Sequence, residues 1–182
     1  MIEWILIGLV VLIAIIFIAY YNKFIVLDQR AENSLSQIDV QLKKRADLVP
    51  NLIETVKGYA KHEKGIMEKV TEARKAMMGA KDLVGRMKAG NVLESALGKL
   101  FAIAENYPQL RANENFLQLQ QELAAIEDKI AYSRQYYNDS IMSFNNACKT
   151  FPGNLFAGIY NKKEKEYIKI PEAQRAVPKV SF

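Results

Sequence analysis

The residue types that most often build reactive centres are scarce in this chain. Its 182 residues include one cysteine, Cys148, and one histidine, His62. A single cysteine excludes an intramolecular disulfide and suits a reducing compartment. It falls in an apolar seam, where it reads as a small packed hydrophobe. A single histidine excludes the helical zinc motif H-E-x-x-H, because Ile66 stands where the second histidine would be. A di-iron Glu-x-x-His fails as well, with Tyr59 in the glutamate position. The glycines between Gly79 and Gly90 are irregularly spaced and follow no strand, so they form no phosphate-binding loop. Strand-period alternation is missing throughout, which leaves an all-α fold. Charge is not extreme either, at a formal net of +5. Its basic clusters, Lys43-Lys44-Arg45 and Lys162-Lys163-Lys165, carry no interleaved aromatics. They read as solvated faces that would sooner meet anionic lipid than nucleic acid.

One long hydrophobic run is present. From Trp4 to Tyr21 no residue is charged, and at about 1.5 Å per residue the run roughly spans the ~30 Å core of a bilayer. Trp4, Tyr20, Tyr21 and Lys23 fall where interfacial side chains belong. Glu3 is the only charged side chain ahead of the run, and Tyr20-Tyr21-Asn22-Lys23 follows it. That pattern argues for an uncleaved anchor rather than a signal peptide. Lys23 and Arg30 follow the span and no basic side chain precedes it. The expected topology is a single pass of the membrane with the N-terminus outside and the larger part in the cytoplasm.

Beyond the anchor, apolar residues recur at three- and four-residue steps from Phe24 through Leu27, Ala31, Ile38, Leu42, Ala46, Val49, Ile53, Val56, Ala60 and Met67 to Met77. This predicts a coiled-coil-like rod of about fifty residues, roughly 75 Å long, with the chain reversing near Gly79, Gly85 and Gly90. A second helix runs from Leu93 towards Pro108, and a third from an Asn113 N-cap to Phe151-Pro152. Pro50 removes a backbone donor inside the rod. Either Asp47 caps a new helix there or one helix continues with a kink, and the unbroken apolar phase favours the kinked helix. Two inward slots fall on polar residues, Glu63 in the first helix and Ser133 or Arg134 in the third; these read as an aligning polar pair or as outward-snorkelling side chains. After Asn154 the chain stays apolar, and Val180-Ser181-Phe182 would suit a partner that adds an edge strand, against the plainer reading of a tail packed on its own bundle.

Several blocks resemble the LemA family: YNKF from Tyr21, SQIDVQLKKRADLVPNLIETVKGYAKHE from Ser36, ALGKLFAIAENYPQLRANENFLQLQQEL from Ala96, RQYYNDSIMSFN from Arg134, FPGNL from Phe151 and VPKVSF from Val177. The resemblance implies an anchor over residues 1–22, a helical bundle over 23–154 and a tail over 155–182. It carries over no catalytic residue and no cofactor. The family's members include magnetosome-membrane proteins and proteins encoded beside membrane proteases. The implied role is therefore a scaffold or interaction protein that assists other membrane proteins, with partners that include the bilayer and a homo-oligomer among the options. The competing reading is an enzyme or ligand-binding protein with a polar pocket near Pro50 and His62.

Overall fold

The computed structural model describes residues 1–168, and among them every regular element is helical. In chain order these are α1 (Ile2–Tyr59), α2 (Lys64–Gly79), α3 (Leu83–Ala104), α4 (Pro108–Arg111), α5 (Glu114–Lys149) and α6 (Gly153–Ile159). The packing divides the chain into one unit of residues 35–133 and another formed by residues 1–34 with the chain from 134 onward.

Helix α1 is 58 residues long and opens with a stretch of mean hydropathy 2.9, long and apolar enough to cross a membrane. It passes through Pro50 without a new start at Asp47. A proline has no N–H for the carbonyl four residues earlier, so Ala46 loses its ordinary helical donor. The structure supplies another: Arg74 Nε of α2 donates to the Ala46 carbonyl at 2.7 Å. Pro50 itself lies on the exposed side of the helix.

The long rod to Met77 is not observed. The chain turns at Ala60 to Glu63, and α2 returns along α1, bringing Arg74 beside Ala46. Ala60 N–H donates to the Val56 carbonyl and Glu63 N–H to that of Ala60, closing the turn. The apolar phase misleads because Ala60 and Met67 are both buried, one on each side of the turn. The seam slot between them is Glu63, a turn residue. Folding back covers the stripe that a lone rod would expose. The second reversal is also displaced. It falls at Ala80 to Asp82, with Asp82 capping α3 by accepting from Gly85 N–H at 2.6 Å, so Gly85 and Gly90 lie inside a helix.

Gly90 has a packing role. A Cβ there would sit 2.7 Å from Leu42 Cδ2 and 3.5 Å from Met77 Sδ, so its absence lets α3 approach α1 and α2 closely. Its carbonyl accepts from Arg45 Nη1 at 3.2 Å. Arg45 is 1% exposed and pairs with Glu127 of α5. It thus departs from the solvated basic face expected for residues 43–45, whereas Lys43 and Lys44 do face outward. Arg45 stands three residues after Leu42 and four before Val49, on the buried stripe, and a guanidinium, always charged, is costly to bury there unless it is paired. Leu52, Val56, Val70, Leu93, Leu97, Leu100, Leu110, Phe116 and Ile130 complete the core of this unit. Asn113 caps α5 as expected, its Oδ1 accepting from Phe116 N–H at 2.9 Å.

In the other unit, Phe24 and Leu27 of α1 pack with Phe144 and Ala147 of α5 and with Phe156 and Ala157 of α6. Phe156 stacks on Tyr20 with ring centroids 4.5 Å apart. Gly153 opens α6 where no side chain would fit, since a Cβ would fall 2.2 Å from the Ala147 carbonyl oxygen. Asn161, with φ of 50°, ends α6 in the left-handed region, and Lys162 N–H returns to the Ala157 carbonyl at 2.8 Å.

If Arg74 replaces the donor that Pro50 lacks, the two positions are coupled. Arg74→Ala should cost about 1–3 kcal/mol in the native chain, the penalty of an unsatisfied carbonyl. It should cost clearly less in a Pro50→Ala background, where residue 50 regains its N–H. Urea unfolding of the detergent-solubilised chain by circular dichroism measures both, and an equal cost in the two backgrounds would refute the coupling.

Candidate functional site

Two features stand out as places where this protein could meet something else. The first is an open groove on the α1–α2 hairpin. Ile53 and Met67, both nearly fully buried, form its floor. Its rim holds Lys57, Lys61, Lys64 and Lys75 against Glu68 and Glu72, with His62 at the turn. A smaller hollow beside it is lined by Val49, Pro50, Ile53, Lys57 and Arg74. His62 and Pro50 therefore do border concave surface, but His62 is exposed and no cysteine or serine shares the groove with it. Chemically this is an apolar trough with a mostly cationic edge, suited to an amphipathic acidic segment.

Glu63 sits at the N-cap position of α2 and accepts from the Tyr107 hydroxyl at 3.0 Å. That hydrogen bond, then burial, pushes the Tyr107 phenol up. Arg134 is buried on α5.

The second feature holds the chain beyond α6. Asn145 Nδ2 donates to the Lys165 carbonyl while its Oδ1 accepts from Lys165 N–H, both at 2.9 Å. Asn138 repeats the arrangement on Ile168, at 3.1 and 2.9 Å. Two helical turns rise about 10.5 Å and three extended residues about 10 Å, so side chains seven apart on α5 match peptide groups three apart on the tail. Tyr137 donates to the Glu166 carbonyl between them at 3.1 Å. Asp28 of α1 fastens the same segment by pairing with Lys162 and Lys165. Burial pushes the Asp28 carboxyl up, but the hydrogen bonds and charges of Lys165 and Lys162 outweigh it and hold it below the usual aspartate range. Cys148, partly buried against this cluster, has its thiol pushed up by burial and then by Glu164.

The interfacial residues lie along α1. Trp4 and Tyr21 are exposed, Tyr20 is partly covered by Phe156, and Lys23 Nζ lies 5.5 Å above the Tyr20 ring. Val180 and Phe182, on which the edge-strand docking expectation falls, lie outside the described residues. Sequence reasoning missed Asn138, Asn145 and Asp28. The seven-residue spacing of the asparagines was the available signal. Among the described residues, no three His, Cys, Asp or Glu side chains gather as metal ligands would.

A family model for the LemA family matches residues 34–182. The chain belongs to the LemA family. The matched region contains the groove, Arg45 and both asparagines, and begins after the apolar run. Among curated relatives, magnetosome protein MamQ of Magnetospirillum gryphiswaldense is 27% identical over 81% of this chain. Magnetosome protein MamQ 2 of Paramagnetospirillum magneticum is 26% identical over the same share. Protein LemA of Metamycoplasma hominis is 28% identical over 69% of the chain. These matches span only 64%, 64% and 58% of the relatives' own lengths. Together with the apolar stretch of α1, they mark a membrane-associated bacterial protein of this family.

The Asp28 pairing fixes a sign for pH. A carboxyl lowered in the folded state contributes stability above the unfolded value, near 3.8, and that contribution is lost as pH falls through the folded value. Hydrogen exchange should therefore show the Lys165 and Ile168 amides protected at neutral pH and less so at acid pH. Asn145→Ala should remove protection at Lys165 even at neutral pH, at a cost of about 1–3 kcal/mol for the peptide groups left unpaired. Protection unchanged by either treatment would contradict the clasp.

Proposed function

We propose that this LemA-family protein is a membrane-anchored interaction scaffold without catalytic activity of its own, which organises or assists other membrane proteins. The supporting observation is the groove over Ile53 and Met67, an apolar trough with four lysines on its rim, built on the same helix that carries the apolar span. The partners would be membrane proteins bearing acidic amphipathic segments, or a second copy of this chain, rather than nucleic acid. With Lys23 and Arg30 following the span, the bundle would lie on the cytoplasmic side of a bacterial inner membrane, crossed once. The magnetosome names of the relatives agree with a role tied to membrane organisation.

A photo-cross-linking residue at Thr71, in the groove, tests the reading in native membranes, with Lys81 in the α2–α3 turn as the comparison site. The expectation is a discrete cross-linked protein from position 71 and none from position 81. Identical patterns from both sites, or a groove protected by a small molecule with no protein attached, would favour the ligand-binding alternative instead.

A further inference from the structure

Helix α6 is apolar on two sides. Its inner side, Gly153, Phe156 and Ala157, is buried against α1 and α5. That contact also fixes its level along α1. Phe17 lies four residues inside the end of the uncharged run, about 6 Å along the helix axis. Phe156 meets the Phe17 ring edge-on with centroids 5.0 Å apart, and the Tyr160 hydroxyl donates to the Phe17 carbonyl at 2.8 Å. With α1 inserted, α6 is thereby held where hydrocarbon gives way to headgroups. Its outer flank carries Leu155 and Ile159, four residues apart and 57% and 59% exposed, and Phe151, just ahead of the helix, is 80% exposed.

We propose that this flank is a second membrane contact, in which α6 lies along the headgroup–acyl boundary with Phe151, Leu155 and Ile159 among the lipid. Continuity with the span identifies lipid as the occupant, because the flank belongs to a helix already packed on the bilayer-level turns of α1. Short amphipathic helices seat their apolar face about 5–10 Å into this boundary, which matches the depth that Phe17 sets. Just beyond α6, Lys162 and Lys165 are engaged by Asp28 while Lys163 is exposed, placing a cation beside the headgroups. The inference rests on α1 being the span and adds a contact that the interfacial residues of α1 do not provide.

The test uses the full chain with Trp4→Phe and Leu155→Trp, reconstituted at low density in vesicles of phosphatidylcholine and phosphatidylglycerol. Tryptophan 155 should emit at shorter wavelength than in water, resist acrylamide, and lose more emission to lipids brominated near the carbonyl end than to lipids brominated at mid-chain. Phe151→Trp, an aromatic exchange at the exposed position before α6, carries the same test should the leucine variant misfold. Asn154→Trp, on the opposite flank, should remain open to acrylamide. Vesicle flotation reports on α1 separately. A chain that floats while tryptophan 155 is quenched by acrylamide and not by brominated lipid overturns the seat alone. Shielding from both quenchers, as a second copy or another protein would give, also overturns it, and failure to float overturns the anchor with it.

Discussion

A missing hydrogen bond organises the bundle unit. Pro50 leaves the Ala46 carbonyl without its helical donor, and the replacement comes from Arg74 of α2. One residue earlier, Arg45 reaches the Gly90 carbonyl on α3 and Glu127 on α5. Two adjacent residues of α1 therefore bind three other helices through charge-assisted contacts. Each contact is demanding, because a buried guanidinium or carbonyl is costly unless its partner arrives in register. Apolar stripes can slide past one another by a turn, whereas these contacts cannot, so they set the alignment that the stripes leave open.

The other governing constraint is that α1 must suit two solvents. Over the uncharged run it is apolar on every side, and its backbone groups are satisfied within the helix, as hydrocarbon requires. Beyond Lys23 charged residues enter, and α5 and α6 cover the helix at Phe24 and Leu27 while Ile25 and Val26 stay exposed. With the uncharged run inserted, Tyr20 and Tyr160, packed with Phe17 and Phe156, would lie at the change of solvent, where side chains with an apolar body and a polar tip are favoured. The asparagine clasp extends this packing beyond α6 by peptide-group pairing rather than by burial.

Much of this was legible in the residues. The apolar run, the helical bundle, the Asn113 cap and, among the described residues, the absence of strands follow from periodicity and end signals. The hairpin at Ala60 was hidden because the turn preserved the inward phase, and only the charged slot at Glu63 marked it. Arg45 was masked by its basic neighbours, although its spacing from Leu42 and Val49 placed it on the buried stripe. The seven-residue spacing of Asn138 and Asn145 marks a shared helix face, but what they bind is decided by a segment about twenty to thirty residues later. As for the sites, the sequence pointed to the Pro50–His62 region, and a groove does lie there, but its lysine rim became visible only once α2 had folded back.

Membrane attachment through the first turns of α1 is the property to test. Val11→Arg with Ile15→Arg places two charges near the middle of the run, each costing about 2.5–3.5 kcal/mol in a membrane helix. Alkaline extraction of membranes should leave the native chain in the pellet and release the double variant as a soluble protein with native helical circular dichroism. A double variant that stays in the pellet after extraction would contradict the anchor.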